Sequence, residues 1–261
     1  DMRNTMFNLV NVSLTINKKQ RLKETRLSFA EEKMTTLIGH NGCGKSTLLQ
    51  LLAKQYVPTS GHIEYKQKNL TQWAPTEFAK EVAYLPQYLA APAGITLEQL
   101  VEFGRYPHQN MFHKVTKEEK ELIHESLMHV GLYDLKDKYL TQVSGGERQR
   151  AWIAMMLAQN CSCMILDEPT SALDLKYQYE LLNLLRTLQE KQRLTVILVL
   201  HDINLAAEFS HQIISCRQGR IVHQSSPMDM LNTKKLHQIF GVDFDFIDIP
   251  SRSVPMSYVR N

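Results

Sequence analysis

The chain has 261 residues, 30 basic against 27 acidic side chains for a net charge of +3, and 43% hydrophobic residues. That is enough apolar material for one large α/β domain or two smaller ones, while the charge imbalance is too small to argue for nucleic acid or an anionic membrane surface as a partner. The longest apolar run, Val196 to Leu200, falls far short of the ~20 residues a bilayer-spanning helix needs. No apolar targeting segment opens the sequence, and the cysteines at 43, 161, 163 and 216 lack zinc or disulfide spacing, so a soluble chain in a reducing cytosol is expected.

In chain order, Val10, Val12, Leu14 and Ile16 alternate with polar residues, as do Leu27 and Phe29 and later Ile63 and Tyr65. This period of two predicts half-buried antiparallel strands forming a side sheet. Met34 to Ile38, Val82 to Leu85, Cys163 to Leu166 and Thr195 to Leu200 are continuous apolar runs, as parallel strands covered on both faces require. Between the second and third of these, capping boxes at Thr96-x-x-Gln99 and Thr116-x-x-Glu119 open amphipathic helices. The second carries Leu122, Ile123, Leu127 and Val130 on one side and stops at Gly131. The expected architecture is α/β: a core over residues 1–87 and 161–232, with an antiparallel side sheet. A helical subdomain is inserted at 88–160, and 233–261 form a C-terminal extension to which no role is assigned.

Gly39-His40-Asn41-Gly42-Cys43-Gly44-Lys45-Ser46-Thr47 fits G-x-x-x-x-G-K-[S/T], and it stands between a predicted strand and a helix buried through Leu48, Leu49, Leu51 and Leu52. Its glycines let backbone N–H groups turn toward an anion at a helix N-terminus, Lys45 adds a charge for the β- and γ-phosphates, and Ser46 is a magnesium ligand. In open parallel sheets ligands bind beyond the carboxyl ends of the strands. Those ends carry Pro86-Gln87, Asp167-Glu168 and His201-Asp202 besides the loop. Asp167 would hold magnesium directly or through water, Glu168 would orient and polarise the attacking water, Gln87 would touch the metal and that water, and His201 would bond the γ-phosphate. Each alone reads as a helix cap or an ordinary polar residue; their convergence is the argument.

Ser144-Gly145-Gly146-Glu147 forms a third capping box, for the helix holding Trp152, Ile153, Met156 and Leu157. Its glycines also leave bare N–H groups at the helix mouth, an anion site that nucleotide in the same protomer's loop cannot readily use. One complete phosphate loop plus one spare anion site predicts a head-to-tail homodimer with two nucleotides sandwiched between protomers.

With these motifs the α/β core reads as a phosphate-loop NTPase of RecA type, and the chain resembles the ATP-binding-cassette (ABC) ATPases over nearly all its length, to about Ser226. Gly39 to Thr47 resembles the family's first phosphate motif, Gln87 its Q-loop, Ser144 to Gln149 its signature (with Glu147-Arg148 in place of the commoner Gln), and Met164 to Glu168 its second acidic motif. Ser171-Ala172-Leu173-Asp174 resembles the D-loop, which adds Asp174 to the nucleotide contacts, and His201 the switch histidine. The resemblance implies ATP and Mg2+ as cofactors and hydrolysis coupled to integral-membrane permease subunits at the cytoplasmic face of the inner (plasma) membrane, with a periplasmic or extracellular substrate-binding protein acting indirectly. More narrowly, Gly104-Arg105-Tyr106-Pro107, Ser144 to Ala158, Leu200 to Ala207 and Val254 to Val259 are similar to ATPases of ferric siderophore importers, the ferric hydroxamate (ferrichrome-type) group above all. Haem or cobalamin import, or a non-transport ATP-switched clamp, are the alternatives. Clamps of this kind carry long coiled-coil insertions or two cassettes, which this chain lacks, and the spare signature site argues against a small-molecule kinase.

One departure stands out. The family usually stacks an aromatic residue on adenine just after the first strand, where this chain has Ile16-Asn17 followed by Lys18, Lys19, Arg21 and Lys23, a cluster that reads as a solvated turn. Cys43 is a candidate reactive thiol, because a helix N-terminus lowers thiol pKa, against the plainer reading of a small residue filling the loop. Cys161, Cys163 and Cys216 read as core or sheet residues.

Overall fold

A computed structural model describes residues 4–109, 114–171 and 173–260. The first half runs β1 (Thr5–Ile16), β2 (Lys19–Ala30), β3 (Met34–Gly39), α1 (Lys45–Leu52), β4 (Ser60–Tyr65), β5 (Lys68–Asn69), α2 (Pro75–Glu81) and β6 (Val82–Leu85). Next come α3 (Leu97–Glu102), a 3-10 segment (Phe103–His108), α4 (Lys117–His129) and α5 (Gly145–Ala158). The rest is β7 (Cys163–Leu166), α6 (Leu175–Gln192), β8 (Thr195–Val199), α7 (Ile203–Phe209), β9 (Gln212–Arg217), β10 (Arg220–Ser225), α8 (Pro227–Met230), α9 (Thr233–Phe240), β11 (Phe244–Ile247) and β12 (Met256–Val259).

The central sheet has six strands in the order β10-β9-β3-β8-β7-β6, parallel except for β10. Its inner strands are apolar throughout because both faces are covered, and alternate side chains serve different cores. On β8, Val196 and Leu198 enter a core shared with the helical segment, whereas Ile197 and Val199 enter a core shared with α1 and the side sheet. The first core joins Met34 of β3 to Leu97 of α3, Ile123 of α4 and Ile153 of α5. The inserted helices therefore have no separate interior; they close one face of the sheet.

The side sheet, in the order β2-β1-β4-β5, departs from simple alternation. Met6, Phe7, Leu9, Val12 and Leu14 are the buried residues of β1, and Val10 and Ile16 are only half-buried. A register shift between Leu9 and Val12 adds a residue to β1, with Asn11 at φ 50°, and such a bulge moves the inward face by one position. Gly61 is required opposite it, since a Cβ there would lie 2.2 Å from the Asn11 carbonyl oxygen.

All three expected capping boxes form, at Thr96, Thr116 and Ser144, each with both reciprocal bonds. The four expected central strands appear at or within a residue of their runs. β9 and β10 have no counterpart in the sequence reading, nor do the elements of the C-terminal extension. There α9 packs against β9 and β11, and the β11/β12 hairpin folds back on α7, where Asn204 Nδ2 donates to the Ser257 carbonyl at 2.9 Å and Asn204 Oδ1 accepts from Ser257 N at 2.8 Å and Oγ at 2.9 Å.

Candidate active site

The parallel register brings the carboxyl ends of β3, β6, β7 and β8 to one level: Leu85 faces Leu166, Leu166 faces Leu198, and Leu37 faces Val199. The residues that follow each strand thus reach the same rim, where a cavity of about 320 Å³ opens. Asn41, Gly42, Gly44, Lys45, Ser46, Thr47, Gln87, Glu168 and His201 line it. The loop that forms its floor depends on glycine at both ends. Gly39 has φ +149° and a Cβ there would meet the Cys216 carbonyl oxygen at 2.3 Å, while Gly44, at φ +111°, is the N-cap of α1 with no side chain to cover the helix N–H groups. Lys45 is buried and folded back on its own loop, Nζ donating to the Gly39 carbonyl at 2.6 Å and the His40 carbonyl at 2.9 Å.

Glu168 is the hub of the polar groups. Gln87 Nε2 donates to its Oε2 at 2.5 Å, and His201 Nε2 lies 2.8 Å from the same oxygen. The Glu168 backbone sits at φ 51°, a left-handed conformation uncommon for a non-glycine residue and found where surrounding structure over-determines a functional position. Asp167 is buried next to it. Burial pushes its carboxyl above the ordinary range, against the hydrogen bond from Ser46, and its Oδ1 has no hydrogen-bond partner. A hydroxyl, an amide and a buried carboxylate oxygen left without a partner are hard oxygen donors of the sort that suits magnesium, so Ser46, Gln87 and Asp167 fit the ion the resemblance implies.

The signature lies elsewhere. Ser144 and Gly145 are exposed at the mouth of α5, Ser144 Oγ accepts from Glu147 N and Glu147 Oε2 from Ser144 N, and none of Ser144, Gly145, Gly146 and Glu147 lines the cavity. Gly146 instead faces Tyr177 near the start of α6. Asp174, the exposed N-cap of α6, is likewise outside the cavity lining. Ala172 of the same motif falls outside the described residues.

Besides Tyr88, which lines the cavity next to Gln87, two contributors were not legible. Arg21 belongs to the cavity lining, because β2 passes directly over the loop: the Arg21 carbonyl lies 3.2 Å from where a Gly44 Cβ would be, and Lys23 N donates to the Gly219 carbonyl at 2.8 Å. At least that member of the basic cluster is therefore more than a solvated turn, and its only sequence signal was a charge near the start of a strand. The second is Phe240 of α9, whose ring meets that of His40 edge-on at 6.1 Å and ties the C-terminal extension to the loop.

A glycine-rich loop feeding a helix, a buried acid, and a second carboxylate held by an amide and an imidazole define a phosphate-loop nucleoside triphosphatase. Comparison with known proteins narrows the class: the family model for the ABC transporter matches residues 22–171, and the chain belongs to that family as an ATP-binding, ATP-hydrolysing subunit. It is 36% identical over 235 residues to the iron(3+)-hydroxamate import ATP-binding protein FhuC of Bacillus subtilis strain 168, covering 90% of this chain and 87% of that one. It is 39% identical over 222 residues to the ferric enterobactin transport ATP-binding protein FepC of Escherichia coli K12, covering 85% and 82%. Among solved structures, a dimeric ATP-binding cassette in a post-hydrolysis state with ADP and Pi superposes with a TM-score of 0.74 at 27% identity, covering 85% of this chain and 99% of that one.

Proposed function

We propose that this chain is the motor of a ferric siderophore importer, of the hydroxamate type, working as a homodimer against permease subunits at the cytoplasmic face of the inner (plasma) membrane and served indirectly by an external substrate-binding protein. The observation that carries the motor reading is the convergence of Gln87 and His201 on one oxygen of Glu168 beside a phosphate loop. The cargo reading rests on what the relatives carry. No helix among the described residues is long and apolar enough to cross a membrane, as suits a subunit that needs a permease.

In the mechanism, the N–H groups of Gly42 to Thr47 receive the phosphates, and Lys45 exchanges its two loop carbonyls for β- and γ-phosphate oxygens. Ser46, Gln87 and Asp167 would hold magnesium, which when bound with ATP neutralises charge on the phosphate oxygens. Glu168 accepts a hydrogen bond from the lytic water and draws on its proton as the water attacks. Gln87 and His201 fix the direction of that carboxylate, and His201 is within reach to turn from it to the γ-phosphate. The bare mouth of α5 at Ser144 to Glu147 serves the nucleotide held in the opposite protomer, and Asp174 lies at the same junction.

Growth on a ferric hydroxamate as sole iron source tests the reading. A strain lacking the gene is expected not to grow and to be rescued by the wild-type chain but not by Lys45→Ala. Retained growth of the deletion strain on hydroxamate, with loss of growth on haem, would move the cargo to haem.

A further inference from the structure

Beneath the phosphate loop two of the four cysteines meet. Cys43 belongs to the loop, and Cys216 lies on β9 directly opposite Gly39 in the parallel register. The Cys216 thiol donates to the Cys43 carbonyl oxygen at 2.7 Å, an oxygen that also accepts from Gly219 N at 2.7 Å. Lys45 Nζ lies 3.6 Å from the Cys43 sulfur. The bare Cα of Gly39 makes room for this arrangement, since a Cβ there would stand 2.7 Å from the Cys43 sulfur and 2.3 Å from the Cys216 carbonyl oxygen.

The environment separates this pair from the other two cysteines. The neighbouring Cys216 thiol, and after it the Lys45 cation, hold Cys43 below the ordinary thiol range against the effect of burial. The same contact and burial push Cys216 up. Burial drives Cys161 up to about 12 and pushes Cys163 well above its ordinary value, a shift that the Lys66 cation opposes without reversing. Thiolate character, and with it reactivity, is therefore concentrated at Cys43. Cys43 itself is buried, but its chain neighbours Gly42 and Gly44 line the cavity, so the residue sits just behind the cavity wall.

We propose that Cys43 and Cys216 are an oxidisable pair, closed to a disulfide by hydrogen peroxide or another hydroperoxide when the loop holds no nucleotide, and that the closed pair takes the loop out of nucleotide binding. In the first step the Cys43 thiolate attacks one peroxide oxygen, the O–O bond breaks, and hydroxide leaves to be protonated to water, giving a sulfenic acid. In the second, the Cys216 sulfur attacks the Cys43 sulfur, the S–O bond breaks, and the departing hydroxide takes the Cys216 proton as water. Both sulfurs are oxidised, and one hydrogen peroxide is reduced to two waters, or one organic hydroperoxide to its alcohol and one water.

A disulfide requires sulfurs about 2.05 Å apart, closer than any hydrogen-bonded separation. Cys216 is fixed in a strand paired on both sides, so the loop must move. Displacing Cys43 tilts the Gly42 to Lys45 N–H groups that form the phosphate cradle. By linkage, bound nucleotide must oppose oxidation as strongly as oxidation opposes binding.

The inference rests on the loop being the nucleotide site, and the experiment separates the two. The reduced full-length chain is treated with hydrogen peroxide, with and without ATP and magnesium, then quenched with N-ethylmaleimide, mapped by mass spectrometry, and assayed for binding of a fluorescent ATP analogue. The expected result is a peptide linking Cys43 to Cys216, affinity weaker by about tenfold or more, on the scale of typical site-to-site coupling, recovery with dithiothreitol, and slower linkage in the presence of ATP. Cys216→Ser, whose hydroxyl can still donate to the Cys43 carbonyl, is expected to bind like the reduced wild type but to form no link, its Cys43 passing instead to a sulfinic acid that dithiothreitol does not reverse. Recovery of both cysteines as maleimide adducts after peroxide, or a 43–216 link with unchanged affinity, overturns the proposal. Failure of the reduced wild type to bind the analogue overturns instead the assignment of the loop.

Discussion

Gln87 and His201, which follow different strands, meet on the same oxygen of Glu168, at 2.5 and 2.8 Å. A carboxylate fixed by two neighbours and by a left-handed backbone is aimed before substrate arrives, as the water activation proposed for Glu168 requires.

Glu168→Gln keeps the size of the side chain and its ability to accept a bond from Gln87, but an amide takes no proton from water. ATP binding is expected to persist while turnover falls by ~10²–10⁴, the usual worth of general-base assistance. The ATP-bound dimer should then accumulate and elute early in gel filtration with ATP and magnesium. Turnover near the wild-type rate would remove Glu168 from the chemistry.

Ser144→Arg addresses the other half of the composite site. Ser144 is exposed and lies outside its own protomer's phosphate cavity, so the substitution is expected to leave ATP binding intact and to block hydrolysis by placing bulk and charge at the mouth of α5. Some loss of stability, about 1 kcal/mol for the missing cap, should accompany it. Ser144→Ala removes the cap without adding bulk and is the control: if both variants hydrolyse ATP at the wild-type rate, the motif is a helix cap alone.

The motifs were legible in the sequence because each is local: a phosphate loop, a strand-end acid pair and three capping boxes all fix their geometry within a few residues. The apolar strands were legible because burial on both faces leaves no polar position to confuse the pattern. What escaped was set by contacts distant in sequence. The bulge at Asn11 is fixed by the approach of Gly61, Arg21 joins the cavity only because β2 crosses the loop, and the C-terminal hairpin is held by Asn204 bonding to Ser257. β9 and β10 carry Gln212, Arg217, Arg220 and His223 among their apolar residues, which hid the strand pattern.

His211 supplies a pH dependence. Its Nδ1 accepts the Met34 N–H at 3.0 Å, so the ring must stay neutral at that nitrogen. Burial first, then the nearby Arg186 and Lys33, lower it to about 4, with Glu190 opposing them. Between its ordinary value near 6.5 and about 4, the unfolded chain binds a proton that the folded chain refuses. Stability contributed by the neutral ring is therefore present above this window and lost as pH falls through it. In urea titrations, the fall in midpoint from pH 7 to pH 4.5 is expected to be smaller for His211→Asn, whose Oδ1 can accept the same N–H without titrating. Equal falls in the two proteins would show that His211 plays no part in acid sensitivity.

The permease is expected to act through Tyr106. This ring is exposed, as is Tyr88 beside the Q-loop glutamine, yet the segment that carries it is anchored. A Cβ on Gly104 would strike the Met155 carbonyl at 2.2 Å, Arg105 Nη1 donates to the Ala158 carbonyl at 2.8 Å, and His108 Nε2 lies 2.7 Å from the Gln159 carbonyl. Those anchors grip the C-terminal end of α5, and the signature stands at its N-terminal end. A load on Tyr106 is thus delivered along α5 to the residues proposed to complete the opposite protomer's nucleotide pocket. A short cytoplasmic helix of the permease, lying beside Tyr88 to Tyr106 by apolar contact, would couple nucleotide closure to transport by this route. Tyr106→Asp puts an unpaired charge in that contact while leaving the anchors in place. ATP hydrolysis by the isolated chain should be unchanged, and copurification with the permease and uptake of ferric hydroxamate should both fall at least severalfold. Undiminished uptake by Tyr106→Asp would take this face out of the interface.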